Sequence, residues 1–468
     1  MDLRTQLRTT NMRARQWIII LLCLLMAMVD GYEILVVPLV MPNIAQNWGL
    51  DSVAVGYVLS STVFGMTIGA LFLSSIADRI GRRKFIIWCM LLAAVGNVLS
   101  GLTINIFSLI AARIFAGLFL GALVPILNTL ASEYSSDKQR STVMGIYGTG
   151  LPLGVVLGGM ITGWVVGNWG WPGAFHFSAV LSATLGVIAY LVLPESIEFL
   201  VERRPTRALE SYNKIAAKFG YEPISELPAP RGRAENRARF GTVFAGTLGK
   251  RTLFMWAGYA LLVSAFYFAN TWTPMLIAQD TGNTADGRAA AILMSVGGIL
   301  GILGFAAMAV KWSGRIVSAL LLLLGLPVFI FFSFIYDTTL GLMAAVLVGI
   351  VTTGGMQALY AISPFVYPAA NRGSALGVMV GLGRGVSITI PIIIGYLFAV
   401  GWTPMSIFQV FGVVMLVASI LIFSLHVTYR GRTEDPDLVA DEDAGILPFG
   451  IGKHAEGATD EILRFTKS

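Results

Sequence analysis

Apolar residues recur in runs of about twenty, each long enough to cross ~30 Å of hydrocarbon at the ~1.5 Å rise of an α-helix. Twelve such runs can be read along the chain, at 17–40, 53–77, 85–103, 105–131, 141–166, 173–193, 251–274, 288–310, 315–336, 338–363, 373–399 and 404–428. The pattern predicts an all-α membrane protein with twelve transmembrane helices. One long polar connection, 194–250, carries many Arg and Glu residues and is broken by Pro205, Pro223, Pro228 and Pro230. It divides six spans from six. The expected organisation is a first half at 1–193, a linker at 194–250 with a short surface helix near 206–220, a second half at 251–429, and a tail at 430–468. The tail turns acidic at 434–443, a composition that predicts disorder.

The halves repeat weakly. Arg140 precedes Gly145 by five residues and Arg372 precedes Gly377 by five, an offset of 232. Pro42 and Pro274 share that offset and are expected to end the first span of each half. Gly81-Arg82 and Gly314-Arg315 match at 233. With equal span counts, these matches favour a duplicated six-helix unit.

Composition agrees with the pattern. Apolar residues make up 56% of the 468 and charged residues 12%, against about 25% charged in soluble domains. The net charge of +6 does not imply a nucleic-acid partner, because the basic residues cluster in alternate loops. That distribution obeys the positive-inside rule and places both termini in the cytoplasm. The expected location is the plasma membrane of a bacterial cell, as a monomer in the bilayer. No cleavable signal pattern precedes the first span. Cys23 and Cys89 lie in separate spans and read as small core residues.

All but three of the 32 Lys and Arg fit the cytoplasmic side. Arg288 is assigned to an outer loop. Arg113 and Arg384 fall inside apolar spans, as do Asp30 and Glu33. Ionisable groups at membrane depth mark ion and substrate pathways. Asp30 and Glu33, three residues apart, share one helix face. By helical rise, Glu33 and Arg113 lie ~10 and ~12 Å from the outer ends of their spans, so an ion pair between Arg113 and one or both of Asp30 and Glu33 is expected. The stripe Arg113, Gly117, Gly121, Pro125 reads as close helix packing headed by a charge. Arg384 sits in Gly381-Leu382-Gly383-Arg384-Gly385 near the midplane, with no acid obvious in the second half's spans to neutralise it. A guanidinium flanked by glycines suits a bidentate carboxylate contact. Pairing with a first-span acid is the structural alternative. Tyr32 beside the acids, Tyr267 and Asn270 on one face, and Gln357 and Tyr360 further on complete the substrate-site candidates. Asp30 and Glu33 are the proton-coupling candidates.

Between the second and third spans runs Asp78-Arg79-Ile80-Gly81-Arg82-Arg83-Lys84. This loop resembles the signature of the major facilitator superfamily, with Ser74 where the family usually has Gly. The second-half counterpart keeps Lys311, Gly314 and Arg315 but lacks the Asp. Glu133 to Arg140 and Pro194-Glu195-Ser196 resemble two further stretches of that superfamily. The resemblance implies a cytoplasmic gate or latch at Asp78, Arg79, Gly81, Arg82, Arg83, Glu133, Arg140 and Arg372. Asp-Gly-Tyr-Glu in the first span, and Gly-x-Gly-Arg-Gly in the eleventh, look like the aromatic acid:proton symporter family within it. Glu33 stands where that family usually has Asp. Nearly all twelve spans are covered, and the implied fold is two six-helix halves.

The implied function is proton-coupled import of an aromatic or related organic carboxylate by alternating access. An anion entering a negative-inside cell is opposed by ~2.3 kcal/mol per charge per 100 mV, which co-transported protons offset. Other readings are a muconate-like dicarboxylate or sugar transporter, a drug exporter working by antiport, or a transporter-derived sensor. The fifth span lacks the Gly-Pro-x-x-Gly-Gly pattern expected of antiporters. No metal-ligand cluster and no nucleophile with a base appears, so neither an enzyme nor a cofactor is expected.

Overall fold

The computed structural model describes residues 3–229, 243, 244, 246–367 and 369–429. These form two compact units, one of residues 3–229 with 391–399 and one of 243–390 with 400–429. The tail 430–468, and 230–242 and 245 of the linker, lie outside the described residues.

The first unit opens with a short helix, α1 (Leu3–Thr9), then α2 (Ala14–Trp48). Next, α3 (Ser52–Ile68) passes through one π-helical turn, Gly69–Leu73, into α4 (Ser74–Ile80). Then come α5 (Arg82–Gly101), α6 (Ile106–Glu133), α7 (Arg140–Gly148) and α8 (Gly150–Val192). Eleven helical stretches among the described residues are long and apolar enough to cross a membrane. One of them, Thr142–Val192, has 51 residues. Unbroken, it would run ~75 Å, more than twice the hydrocarbon thickness. Gly170, at φ 66° and ψ −176°, breaks it just before Pro172. Residues 150–169 and 171–192 are therefore separate arms, and the crossings among the described residues number twelve.

The second unit holds α11 (Gly246–Asp280), α12 (Thr284–Ala309), α13 (Gly314–Leu323), α14 (Gly325–Ile335), α15 (Thr339–Ile362), most of α16 (Ala369–Ala399) and α17 (Pro404–Val427). Helices α13 and α14 together make one 22-residue crossing. Asn283, Thr338 and Thr403 cap α12, α15 and α17 by accepting backbone N–H bonds.

Glycine interlock recurs in both units. A Cβ on Gly117 would collide with the Thr62 carbonyl, and one on Gly69 with that of Leu118, so α6 lies backbone-to-backbone on α3 and its π turn. The stripe below Arg113 is thus a packing seam. In the second unit Gly297 meets the carbonyl of Val346 and Gly349 that of Met294, locking α12 to α15 in the same way.

Three expectations need correction. Pro42 does not end the first span, nor Pro274 the seventh: α2 runs on to Trp48 with Pro38 and Pro42 inside it, and α11 to Asp280. Packed membrane helices tolerate proline because neighbours re-satisfy the freed backbone groups. The actual stop for α2 is Gly49, left-handed at φ 61°. Arg288 is not a loop residue. It lies near the start of α12, where its guanidinium donates to Thr284 Oγ1 at 3.2 Å.

Beyond α8 the chain forms α9 (Ile197–Arg203) and α10 (Ala208–Lys218), the latter within the stretch expected to be helical. Tyr212, Ile215 and Ala216 face inward while Glu210 and Lys214 pair outward at 2.6 Å. Helix α1 docks here: the Leu3 N–H donates to the Tyr212 hydroxyl at 2.9 Å, and Leu3 and Leu7 are buried.

Candidate functional site

In the first unit the intramembrane charges form a closed polar core. Glu33, projecting from α2, and Arg113, from α6, are both fully buried and pair at 2.7 Å. Arg113 Nη1 donates to Asn97 Oδ1 at 2.8 Å and Nε to Thr62 Oγ1 at 3.0 Å. Asn97 Nδ2 donates to Glu33 Oε1 at 2.5 Å, and the Ser178 hydroxyl donates to the same oxygen. The guanidinium carbon lies 5.1 Å from the centre of the Phe175 ring. Burying two ions costs several kcal/mol each unless their remaining donors and lone pairs are met. Here all three guanidinium nitrogens and both carboxylate oxygens are engaged.

Asp30, one turn back on α2, is buried as well, and its charge reaches the Tyr147 phenol of α7. Tyr32 points into the bundle. Its hydroxyl donates to the Ala174 carbonyl at 2.9 Å, and its ring lies edge-on to Phe177 and fills the space left by Gly158.

The second unit is built differently. Tyr259 of α11 and Tyr360 of α15 share a hydroxyl–hydroxyl hydrogen bond of 2.7 Å. The Tyr259 ring occupies the place a Cβ on Gly383 would need, so it lies against α16 beside Arg384. Arg384 is half-buried and close enough for its charge to act on both phenols, and Tyr267 belongs to the same electrostatic cluster. Tyr259 and Tyr267, eight residues apart, share a stripe of α11 with Asn270. Asn270 Nδ2 donates to the Phe266 carbonyl at 2.9 Å. Arg384 shares a helix face with Gly377 and Gly381, where a Cβ would meet open space, as it would at Gly385. Gln357 and Tyr360 are exposed on α15.

At the α4–α5 turn, Gly81 adopts φ 102°, which favours glycine. Arg82 Nη1 pairs with Glu133 and donates to Ser196 Oγ at 3.1 Å, and Ser196 Oγ donates to Glu133 at 2.7 Å. Asp78 meets Arg82 at 3.7 Å. The Glu195 carboxylate accepts the N–H groups of Arg83 at 2.9 Å and Ser196 at 3.0 Å. Burial raises the Glu195 carboxyl above the usual range, and those N–H bonds pull it part of the way back. Arg79 is exposed, Arg140 pairs with Asp137 at 2.8 Å, and Arg372 is half-buried on α16. At the matching end of the second unit, Arg251 and Arg315 lie 3.6 and 3.7 Å from the centre of one ring, Tyr429.

Sequence reasoning missed Asn97, Ser178 and Thr62 around the ion pair, and Tyr259 beside Arg384. An amide within an apolar span was the available signal for Asn97. For Tyr259 it was the eight-residue spacing to Tyr267. Among the described residues no cluster of His, Cys, Asp and Glu is arranged to hold a metal ion.

Twelve crossings, a glycine-locked helix pair in each unit and a charged turn after the second crossing define a secondary-transporter architecture. The family model for the Major Facilitator Superfamily matches residues 19–379, and the chain belongs to that superfamily. Curated relatives include a gallate transporter of Pseudomonas putida, 28% identical over 441 residues, covering 90% of this chain and 94% of the relative. Another is the 4-hydroxybenzoate transporter PcaK of Pseudomonas aeruginosa, 26% identical over 412 residues, with 86% and 90% covered. Among solved structures, a D-xylose–proton symporter superposes with a TM-score of 0.67 at 15% identity, covering 89% of this chain and 99% of that one. The protein is an integral membrane protein of the transporter type.

Proposed function

We propose that this protein imports an aromatic or closely related organic carboxylate together with protons. The observation that carries the reading is the second unit's cluster of Arg384 with Tyr259, Tyr267 and Tyr360. A guanidinium binds a carboxylate through two parallel N–H bonds. The phenol pair adds to it: in a hydroxyl–hydroxyl bond one O–H is donated inward, and the acceptor's own proton is left to offer a ligand. Aromatic walls then suit a ring attached to that carboxylate. The gallate and 4-hydroxybenzoate specificities of the relatives fit the same chemistry.

In this reading Arg384, Tyr360, Tyr267, Asn270 and Gln357 contact substrate. Arg113 and Tyr32 order the polar core of the first unit. Asp30, buried one turn from the Glu33–Arg113 pair, is the proton carrier in this reading, and Glu33, engaged by three donors, sets its surroundings. Asp78, Arg79, Gly81, Arg82, Arg83, Glu133, Arg140 and Arg372 form the cytoplasmic latch, with Glu195 and Ser196 added. The protein works as a monomer in a bacterial inner membrane with both termini cytoplasmic.

Proteoliposome uptake of benzoate, 4-hydroxybenzoate, gallate and muconate, with and without an imposed pH gradient, tests the reading. One aromatic acid should accumulate against its gradient only when the outside is acidic. Uptake indifferent to the pH gradient would overturn the coupling. Asp30→Asn should keep substrate exchange while losing gradient-driven accumulation; equal loss of both would remove Asp30 from the carrier role.

A further inference from the structure

Where α2 begins and α8 ends, the linker helix α10 closes a groove of 240 Å³. Its floor and walls are apolar, and Arg15 and Lys218 line it. The Arg15 guanidinium donates to the Lys218 carbonyl, which fixes its position at the end of α10 and leaves its other N–H groups for a ligand. Both cations belong to exposed residues. Just beside the groove, Arg83 donates to the Tyr190 carbonyl at 2.5 Å.

The apolar wall does not stop at the groove. Ile18 is 49% exposed, Leu191 69% and Val192 43%, and Leu21 and Tyr190 continue the same apolar surface along α2 and α8. Those are membrane-crossing helices, so this surface faces acyl chains. Trp17, also partly exposed, stands next to Ile18 near the start of α2, and indole rings of membrane proteins settle at the headgroup level. A ligand filling the groove therefore meets cations at one end and hydrocarbon at the other.

We infer that this groove binds an anionic phospholipid, its phosphate between Arg15 and Lys218 and its first acyl carbons along Ile18, Leu191 and Val192. A free anion would use the cations but leave the apolar wall uncovered. A zwitterionic lipid would use the wall but bring no net charge to the cations. The bound lipid would join the linker helix to the ends of the first and sixth crossings, in the leaflet on the side of the N-terminus. The inference concerns a lipid site and stands apart from the substrate reading.

Native mass spectrometry of the full-length protein in detergent, titrated with phosphatidylglycerol or phosphatidylcholine, tests it. A cation near an anionic headgroup gives about a fivefold gain, so two predict a roughly thirtyfold preference for phosphatidylglycerol. Arg15→Gln with Lys218→Gln should bring the ratio near one, and Lys218→Gln alone should lower it about fivefold. Lys214→Gln, one turn away and paired with Glu210, should leave it unchanged. Phosphatidylglycerol should raise the melting temperature of the parent protein and of Lys214→Gln but not of the double variant. Equal retention of the two lipids by the parent protein would overturn the site, as would full preference in the double variant. Displacement of the lipid by millimolar inorganic phosphate would reassign the groove to a free anion.

Discussion

The two units treat a buried arginine in opposite ways. In the first, Arg113 is sealed with Glu33, Asn97 and Thr62, and none of its surface reaches solvent. In the second, Arg384 stays half-buried among tyrosines, on a helix whose glycines at 377, 381 and 385 open onto space. A sealed pair rigidifies, because every donor is already matched. An arginine among phenols and open glycine faces is equipped to receive an anion. The same divergence appears at the ends of the helices. Arg82 pairs with Glu133 in the first unit, whereas Arg251 and Arg315 stack on Tyr429 in the second. Both units hold a glycine seam between two helices, while their arginines sit in different surroundings.

Substitution at the two arginines probes this comparison most strongly. Arg384→Ala should reduce initial uptake about thirtyfold or more, since losing one member of a desolvated, hydrogen-bonded charge pair costs 2–5 kcal/mol or more. Because Arg384 is half-buried whereas the Glu33–Arg113 pair is fully buried, the variant's melting temperature should fall less than that of Glu33→Gln. Glu33→Gln should destabilise the fold by about 3–5 kcal/mol, because Arg113 is left buried without its counter-charge. Replacing both, as Glu33→Leu with Arg113→Met, should recover much of that stability. Thermal melts in one detergent, beside uptake rates, decide the matter. Equal destabilisation by Arg384→Ala and Glu33→Gln would erase the distinction between a sealed and a receptive arginine.

Much of this was legible in the chain, and the gaps have physical causes. Runs of about twenty apolar residues identify membrane crossings because hydrocarbon tolerates little else. The ends of α2 and α11 were misjudged because proline, a stop signal in water, is tolerated where packed helices surround it. A pair between Arg113 and one or both first-span acids followed from matching depths, and Glu33 is the acid that meets it. The remaining partners did not, since Asn97 and Ser178 stand 64 and 145 residues from Glu33 and reach it only through packing. Tyr259 was hidden for a related reason: the glycine that makes room for it, Gly383, lies on another helix. Helix α1 escaped notice because seven residues carry too short a period, and its burial depends on Tyr212 of α10.

A finer test of the second unit is Tyr259→Phe. The ring still fills the space at Gly383, but the bond to Tyr360 is lost. A neutral hydrogen bond contributes about 0.5–1.5 kcal/mol, so the apparent KM for the carboxylate should rise roughly two- to tenfold with stability little changed. No change in KM would place the phenol pair outside the substrate's reach and leave Arg384 to act without it.

The smallest expected effect lies at the latch of the first unit. Burial raises the Glu195 carboxyl, so the folded protein holds that proton more tightly than the unfolded chain does. The sign follows by linkage: this contribution to stability is fully present below the ordinary glutamate range and is lost as pH rises through the raised folded value. Glu195→Gln keeps an oxygen for the Arg83 and Ser196 N–H groups but cannot ionise. Relative to the parent, the variant should gain stability as pH climbs from about 4 through the raised value and hold a constant advantage above it. Melting curves across that window measure the difference directly. A parent and variant that track each other at every pH would mean that the backbone donors fully offset burial, leaving this carboxylate a passive part of the turn.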